Sequence, residues 1–301
     1  VDARHKAGHD RENDAIIGVM KRPSNQKPLS KLSGTLLLVG AGKMGQAMLD
    51  GWLARGLKPK QVAVIEPQPA KSIKALTKRG IKLNAKPGPK APADAAAIVI
   101  AVKPQTAPDA MPPLGLYVGK STLVLSIMAG RTIRFIENAL PSGAAIVRAM
   151  PNTPAAIGRG ITVAVANGKV SPRQRKLASD LLAAIGKVEW VKDEALIDAV
   201  TALSGSGPAY VFLLAEAMTK AGITAGLPAE LAGRLARETV SGSGELLHRS
   251  DLDAATLRQN VTSPGGTTAA ALDVLMGPGG FDEILTKAIA AATARSRQLA
   301  G

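Results

Sequence analysis

Thr35-Leu36-Leu37-Leu38-Val39-Gly40-Ala41-Gly42-Lys43-Met44-Gly45 is the stretch on which the reading of the fold turns. Leu36 to Val39 is an unbroken apolar run, which fits a strand buried on both faces of a parallel sheet. It ends at Gly40, where Gly40-Ala41-Gly42-Lys43-Met44-Gly45 matches G-x-G-x-x-G. Alone that pattern says little, and a tight turn without a ligand would satisfy it. Here it follows an apolar strand and opens a helix from Gln46 to Arg55, closed by Gly56, a context that predicts a dinucleotide-binding turn. The three glycines then serve in order a tight turn, close backbone approach to a pyrophosphate, and close helix–strand packing. The helix start faces the phosphates with free N–H groups and a partial positive charge.

Outward from this turn the alternation repeats. Val62-Ala63-Val64-Ile65 reads as a second strand and Pro69 to Arg79 as a second helix stopped by Gly80. Ile98 to Val102, Leu123 to Ser126 and Ala145 to Arg148 read as strands three to five. Gly160 to Ala166 and Val188 to Val191 are further strands, separated by a helical stretch from Pro172 to Ile185. Strands alternating with helices predict an α/β fold, an N-terminal doubly wound Rossmann-type sheet. After about Asp193 the strand signals stop. Pro208 to Ala221, Pro228 to His248, Thr267 to Met276 and Phe281 to Leu299 read as helices, with prolines near two starts and Gly222 just past an end. Small residues such as Ala288 to Ala292 allow close helix packing, so an all-helical C-terminal dimerisation domain is expected. Residues 1–33 are polar and aperiodic and read as a disordered tail. The expected domains are therefore residues 34–192, dinucleotide-binding, and residues 193–301, helical.

The chain has 301 residues, against roughly 100–200 for one domain, which agrees with two. Aromatics are only 2%, so the core must come from aliphatic residues, and stacking platforms for single-stranded nucleic acid are scarce. There is no cysteine, which excludes disulfides, thiolate metal centres and cysteine nucleophiles. His5, His9 and His248 are too scattered for a zinc site, so no metal is expected. The longest apolar run, Ala95 to Val102, is far shorter than the ~20 residues that span a bilayer. No signal-peptide pattern opens the chain. A cytoplasmic protein without a membrane partner is the expectation.

The net charge of +15 is unevenly spread. Residues 34–192 carry 23 basic and 7 acidic side chains, net +16, whereas residues 193–301 carry 8 and 12, net −4. The basicity therefore sits in the α/β half, where it attracts an anionic partner. Its lysines and arginines are scattered and lack aromatic interleaving, so a dinucleotide fits better than nucleic acid. The second predicted strand ends at Glu66, 21 positions beyond Gly45. An acidic residue there accepts hydrogen bonds from the adenosine ribose hydroxyls and repels a 2′-phosphate, a lean towards NADH over NADPH. Gln68, Lys71, Ser72 and Lys74 follow closely and can hold a phosphate if Glu66 turns away.

Further motifs stand in order along the chain. They are Ala101-Val102-Lys103-Pro104-Gln105, Ser126-Ile127-Met128-Ala129-Gly130 and Arg148-Ala149-Met150-Pro151-Asn152-Thr153-Pro154. Leu203-Ser204-Gly205-Ser206-Gly207-Pro208-Ala209-Tyr210 and Gln259-Asn260-Val261-Thr262-Ser263-Pro264-Gly265-Gly266-Thr267-Thr268 follow. With the glycine turn, these resemble pyrroline-5-carboxylate reductase from about Leu36 to Leu299. Two departures bear on cofactor choice. Lys86-Pro87-Gly88-Pro89-Lys90 stands where the family often has an Asn, and Glu66-Pro67 where many members place a phosphate-binding Ser or Arg.

The resemblance implies hydride transfer from NADH or NADPH to a cyclic imine, giving proline, the last step of proline biosynthesis. It implies that Gly40, Ala41, Gly42, Lys43, Met44, Gly45, Glu66, Ala101, Val102, Lys103 and Pro104 bind the cofactor, with the Lys103 backbone lining the nicotinamide pocket. The substrate carboxylate falls to Ser263, Gly265, Gly266, Thr267 and Thr268, which precede a helix. The Thr268 hydroxyl is the group that hydrogen-bonds the ring nitrogen. A plain helix N-cap is the other reading of those residues. Ser204 to Pro208 is expected near the substrate. Helical domains interlocked as homodimers, often five dimers to a ring, complete the expectation. The rival is another Rossmann reductase with a helical C-terminal domain, of the 3-hydroxyacid dehydrogenase type. That type needs a lysine on its first long helix, and Val211 to Thr219 has none.

Overall fold

The computed structural model describes residues 28–84 and 95–300. They hold an eight-stranded sheet, β1 Thr35–Val39, β2 Val62–Ile65, β3 Lys82–Leu83, β4 Ala95–Ile100, β5 Leu123–Ser126, β6 Ala145–Met150, β7 Gly160–Ala166 and β8 Gly186–Trp190. The spatial order is β3-β2-β1-β4-β5-β6-β7-β8. Every neighbouring pair is parallel except β6 with β7. The first six positions follow the doubly wound dinucleotide-binding order.

Successive side chains of a strand point to opposite faces, and both faces here are dry. Leu36, Leu38, Val62, Val64, Val99 and Leu125 pack on one face with helices α1 (Lys43–Ala54) and α5 (Pro172–Leu182). Leu37, Val39, Ile98, Ile100 and Val124 pack on the other, against α3 (Ala107–Ala110) and α4 (Ile133–Ala139). The short α2 (Lys71–Leu76) adds Ile73 to the first face. Continuous apolar strands were the sequence's signal for this burial, and it holds at each of β1, β4 and β5.

The α1–α5 contact is unusually close. Trp52 is fully buried and donates its indole N–H to the Leu181 carbonyl at 2.9 Å. One residue earlier, a Cβ on Gly51 would lie 2.6 Å from the Ala184 carbonyl oxygen. Gly51 therefore sits mid-helix because the end of α5 leaves no room for a side chain.

Among the described residues the chain divides into two compact units. One runs to Pro208 and regains Ile289 onward; the other is Ala209–Ala288. The boundary thus falls later than the expected residue 193, and the chain's last helical turns join the first unit. There Ser296 donates to Asp198 at 2.7 Å, on α6 (Leu196–Val200). A π-helix, Thr201–Gly205, follows α6. The helical unit carries most of α7 (Gly207–Thr224), then α8 (Ala229–Arg249), α9 (Ala254–Asn260) and α10 (Thr267–Leu275), and the start of α11 (Phe281–Ala300).

Two sequence expectations change. Residues 1–27 lie outside the described residues, but the end of the expected tail is ordered. Pro28–Lys31 forms a 3-10 turn with Leu29 buried in the core, and Gln61 donates to the Leu32 carbonyl at 2.7 Å. Gly222 is inside α7, not past its end; it meets Ala232 of α8 at close range, and the left-handed residue after the helix is Gly226. Beside these, an 18-residue window within Leu196–Thr224 reaches a mean hydropathy of 1.3, so by length and composition alone that segment could cross a membrane.

Gly51→Ala tests the helix crossing. In an open helix this change stabilises by about 1 kcal/mol; here it is expected to destabilise by about 1–3 kcal/mol. Denaturant unfolding of the two proteins measures the sign.

Candidate active site

Doubly wound sheets bind ligands outside the strand C-termini where neighbouring connections leave in opposite directions. That place here is between β1 and β4, whose registers align Val39 with Ile100. Gly40 N–H donates to the Ile65 carbonyl at 2.8 Å and Ala101 N–H to the Val39 carbonyl at 2.7 Å, which draws the strand ends together. The glycine turn lies over this point.

Its three glycines differ in what surrounds them. Gly40 has φ +89°, and a Cβ on it would lie 2.7 Å from the Ala101 carbonyl oxygen. On Gly45 a Cβ would meet the Gly40 carbonyl oxygen at 2.3 Å, so this glycine permits the helix–strand contact. Gly42 has nothing within 4 Å of its Cβ position. Protein packing does not explain a glycine at that position, and the space above it is open to the close approach of a ligand. Gly42 is also the N-cap of α1 without a side-chain cap, so the first-turn N–H groups keep their capacity for an anion. These residues fit a dinucleotide. Lys43 is exposed, Met44 half-buried and Ala41 buried.

Glu66 follows β2 and faces the turn. Its carboxylate accepts the Ala41 N–H at 2.8 Å and the Gln68 N–H at 3.0 Å. Asn84, which the sequence reading passed over, pairs with the Glu66 backbone in both directions at 2.8 Å. Ser72 donates to Gln46 at 3.2 Å, tying α2 to α1. Lys86 to Lys90 lie outside the described residues.

After β4, Ala101 and Val102 continue to Lys103, the N-cap of a 3-10 turn, Pro104–Thr106, whose Thr106 N–H donates to the Lys103 carbonyl at 3.0 Å. The Lys103 side chain is exposed. Arg131 clamps this segment, donating twice to the Pro104 carbonyl at 3.2 and 2.9 Å while its guanidinium lies 4.5 Å over Phe135. Arg131 was not among the expected site residues. It follows the Ser126-to-Gly130 motif, which was its only signal. Thus Gly40 to Gly45, Glu66 and Ala101 to Pro104 are brought to one edge of the sheet.

Ser263, Gly265, Gly266, Thr267 and Thr268 belong to the other unit and are local to one turn. Gly265 has φ +68°, and Gly266 is the N-cap of α10 with no side-chain cap. The Gly266 N–H already donates to the Ser263 carbonyl at 3.0 Å. Its backbone is thus committed within the turn, and Thr267 and Thr268 begin the helix with the N–H groups that helices leave open. Ser263 is exposed and Thr268 half-buried. Asp253 caps α9 ahead of this turn, and the backbone N–H of Thr256 holds its carboxyl below the usual carboxylate range. Ser204 to Pro208 belongs to the sheet-bearing unit, where a Cβ on Gly205 would strike the Met150 methyl at 2.6 Å. His248 is exposed near the end of α8, as expected of a surface residue.

Comparison with known proteins adds to this geometry. The family model for pyrroline-5-carboxylate reductase dimerisation matches residues 194–299, and that for NADP oxidoreductase, coenzyme F420-dependent, matches residues 35–130. Pyrroline-5-carboxylate reductase of Pseudomonas aeruginosa is 39% identical over 268 residues, covering 88% of this chain and 96% of that protein. The structure of a pyrroline-5-carboxylate reductase from Coxiella burnetii superposes with a TM-score of 0.81 at 35% identity, covering 90% of this chain and 100% of that one. A Plasmodium falciparum pyrroline carboxylate reductase with NADP bound gives a TM-score of 0.74 at 29% identity, covering 92% and 100%. The chain belongs to the pyrroline-5-carboxylate reductase family.

Proposed function

We propose that this protein reduces 1-pyrroline-5-carboxylate to L-proline with a hydride from NADH or NADPH, the last step of proline biosynthesis. The open space at Gly42, above an uncapped helix start, is the observation that carries the cofactor half of the reading. Family membership carries the substrate half. It also outweighs the 3-hydroxyacid dehydrogenase reading, which α7 disfavours, having no lysine before Lys220.

A reduced dinucleotide held with its diphosphate at the glycine turn would supply, from its nicotinamide, the hydride for the C=N carbon. What remains for the chain's own residues is positioning. A protonated imine is already electrophilic, and the product amine needs no strong acid beside it, so a site without histidine or cysteine among the described residues loses nothing by it. Orientation alone can be worth roughly 7–11 kcal/mol at its upper end. The cofactor falls to Gly40, Ala41, Gly42, Lys43, Met44 and Gly45, with Ala101, Val102, Lys103 and Pro104 alongside. The substrate carboxylate falls to the Thr267 and Thr268 amides and the Ser263 hydroxyl, with the turn made by Gly265 and closed by the Gly266 N–H on the Ser263 carbonyl. The Thr268 hydroxyl holds the ring nitrogen. Glu66 takes the ribose hydroxyls and gives NADH the advantage.

The apolar residues exposed on the helical unit, among them Val211, Phe212, Leu213, Leu235, Ile284 and Leu285, are assigned to a second copy of the chain. Exposed apolar area on that scale marks an interface, and the reading extends to homodimers and a ring of five. The apolar stretch Leu196–Thr224 serves that contact, not a bilayer, in a cytoplasmic enzyme without a nucleic-acid partner.

Three measurements test this. Oxidation of reduced cofactor should depend on pyrroline-5-carboxylate, and Thr268→Ala should lower kcat about 10- to 100-fold while the cofactor dissociation constant stays put; equal losses in both would remove Thr268 from the substrate. Glu66→Ser should move the NADH-to-NADPH ratio at least about tenfold towards NADPH, because a like charge leaves the 2′-phosphate site. Light scattering should return a multiple of the 30.8 kDa chain, and a fully active monomer would contradict the assigned interface.

A further inference from the structure

Glu66 is held from two sides. Its carboxylate is fixed by the Ala41 and Gln68 amides at 2.8 and 3.0 Å. Its backbone is fixed by Asn84, whose Oδ1 accepts the Glu66 N–H and whose Nδ2 donates to the Glu66 carbonyl, each at 2.8 Å. The Asn84 side chain thereby replaces a missing strand residue. β3 ends at Leu83, the Asn84 N–H still donates to the Val64 carbonyl at 2.8 Å, and the side-chain amide extends the β2–β3 pairing one place further.

The position makes two demands. Its φ is +50°, the left-handed region that Gly, Asn and Asp enter at least cost. It must also present one donor and one acceptor to the backbone of a single residue. Glycine has neither, and an aspartate would turn a second oxygen towards the Glu66 carbonyl. Asparagine meets both demands.

We propose that Asn84 is a positioning residue for cofactor choice. By pairing with the Glu66 backbone it keeps the Glu66 carboxylate on the glycine turn, where the carboxylate accepts ribose hydroxyls and repels a 2′-phosphate. The proposal rests on the assignment of Glu66 to the ribose under the proposed function. A Glu66 freed from Asn84 pivots about its own backbone, and its carboxylate spends less time at the Ala41 amide. Asn84 itself is exposed, so its effect on selectivity is modest, of the size of two solvated hydrogen bonds.

Asn84→Gly tests this, since glycine accepts the backbone angle and lacks only the amide; Asn84→Ser is the second variant. Dissociation constants for NADH and for NADPH are measured by titration calorimetry on both, on Glu66→Ser, and on Glu66→Ser combined with Asn84→Gly, with thermal melting of each. The Asn84 variants should weaken NADH about three- to tenfold and NADPH by less. In the Glu66→Ser background, Asn84→Gly should leave the ratio where Glu66→Ser has set it, because the two act through one group. If both Asn84 variants fold and keep the parental ratio while Glu66→Ser changes it, Asn84 has no positioning role and the Glu66 reading survives. An unchanged ratio in Glu66→Ser removes that reading and this proposal together. A further shift in the double variant also overturns the proposal, since Asn84 would then touch the cofactor directly.

Discussion

The turn after β1 admits a Cβ at only one of its three glycines, and that constraint organises the sheet-bearing unit. At Gly40 and Gly45 backbone atoms already occupy the space, at 2.7 and 2.3 Å from where a Cβ would be. The first crowding brings the ends of β1 and β4 within hydrogen-bonding reach of each other. The second seats the start of α1 directly on the turn. Together they aim the first-turn amides of α1 across the one open position, Gly42. A helix whose first turn lacks a side-chain cap leaves N–H groups in want of an acceptor, a demand that a diphosphate would satisfy.

The same economy governs Glu66. Both its carboxylate oxygens are engaged by amides, one from the glycine turn and one two residues along its own chain. An acidic side chain so anchored joins the end of β2 to the glycine turn after β1. On the proposed assignment of Glu66, selectivity between the two cofactors would depend less on the presence of a carboxylate than on whether it is kept in place. Arg131 does the corresponding work after β4, fixing the Pro104 carbonyl with two donors.

How much of this was legible in the sequence follows from which forces leave a pattern. β1, β4 and β5 are buried on both faces, so burial writes an unbroken apolar run, and the glycine turn is readable because its neighbours are. β3 has two residues, Lys82 and Leu83, at the edge of the sheet; no periodicity fits in so short an element, and Asn84 vanished with it. Leu29 was hidden among the few scattered apolar residues of a polar, aperiodic tail. Gly222 misled for a different reason. A glycine near a helix end usually marks a C-cap, but here it makes room for Ala232 on the next helix, a contact between residues ten apart that no local rule contains. The turn at Ser263 to Thr268, to which the proposed function assigns the substrate, was visible only through its family resemblance, since a capped helix start and a carboxylate site use the same residue types.

The helical unit sets a physical problem that the sheet does not. Phe212 and Leu213 stand 64% and 60% exposed on α7, and Ile284 and Leu285 are open on α11. Among the described residues of the helical unit, the other helices leave these faces open. Lipid would cover α7, but α8 and α11 alternate apolar with charged positions, among them Arg234, Glu238, Asp282 and Glu283, which a bilayer core would reject. A second copy of the same unit answers both requirements at once, offering apolar surface to α7 and water to the charged edges. Apolar faces closed between two copies, with charged side chains left in solvent, reproduce the division between core and rim by which protein interfaces gain stability without stranding a charge.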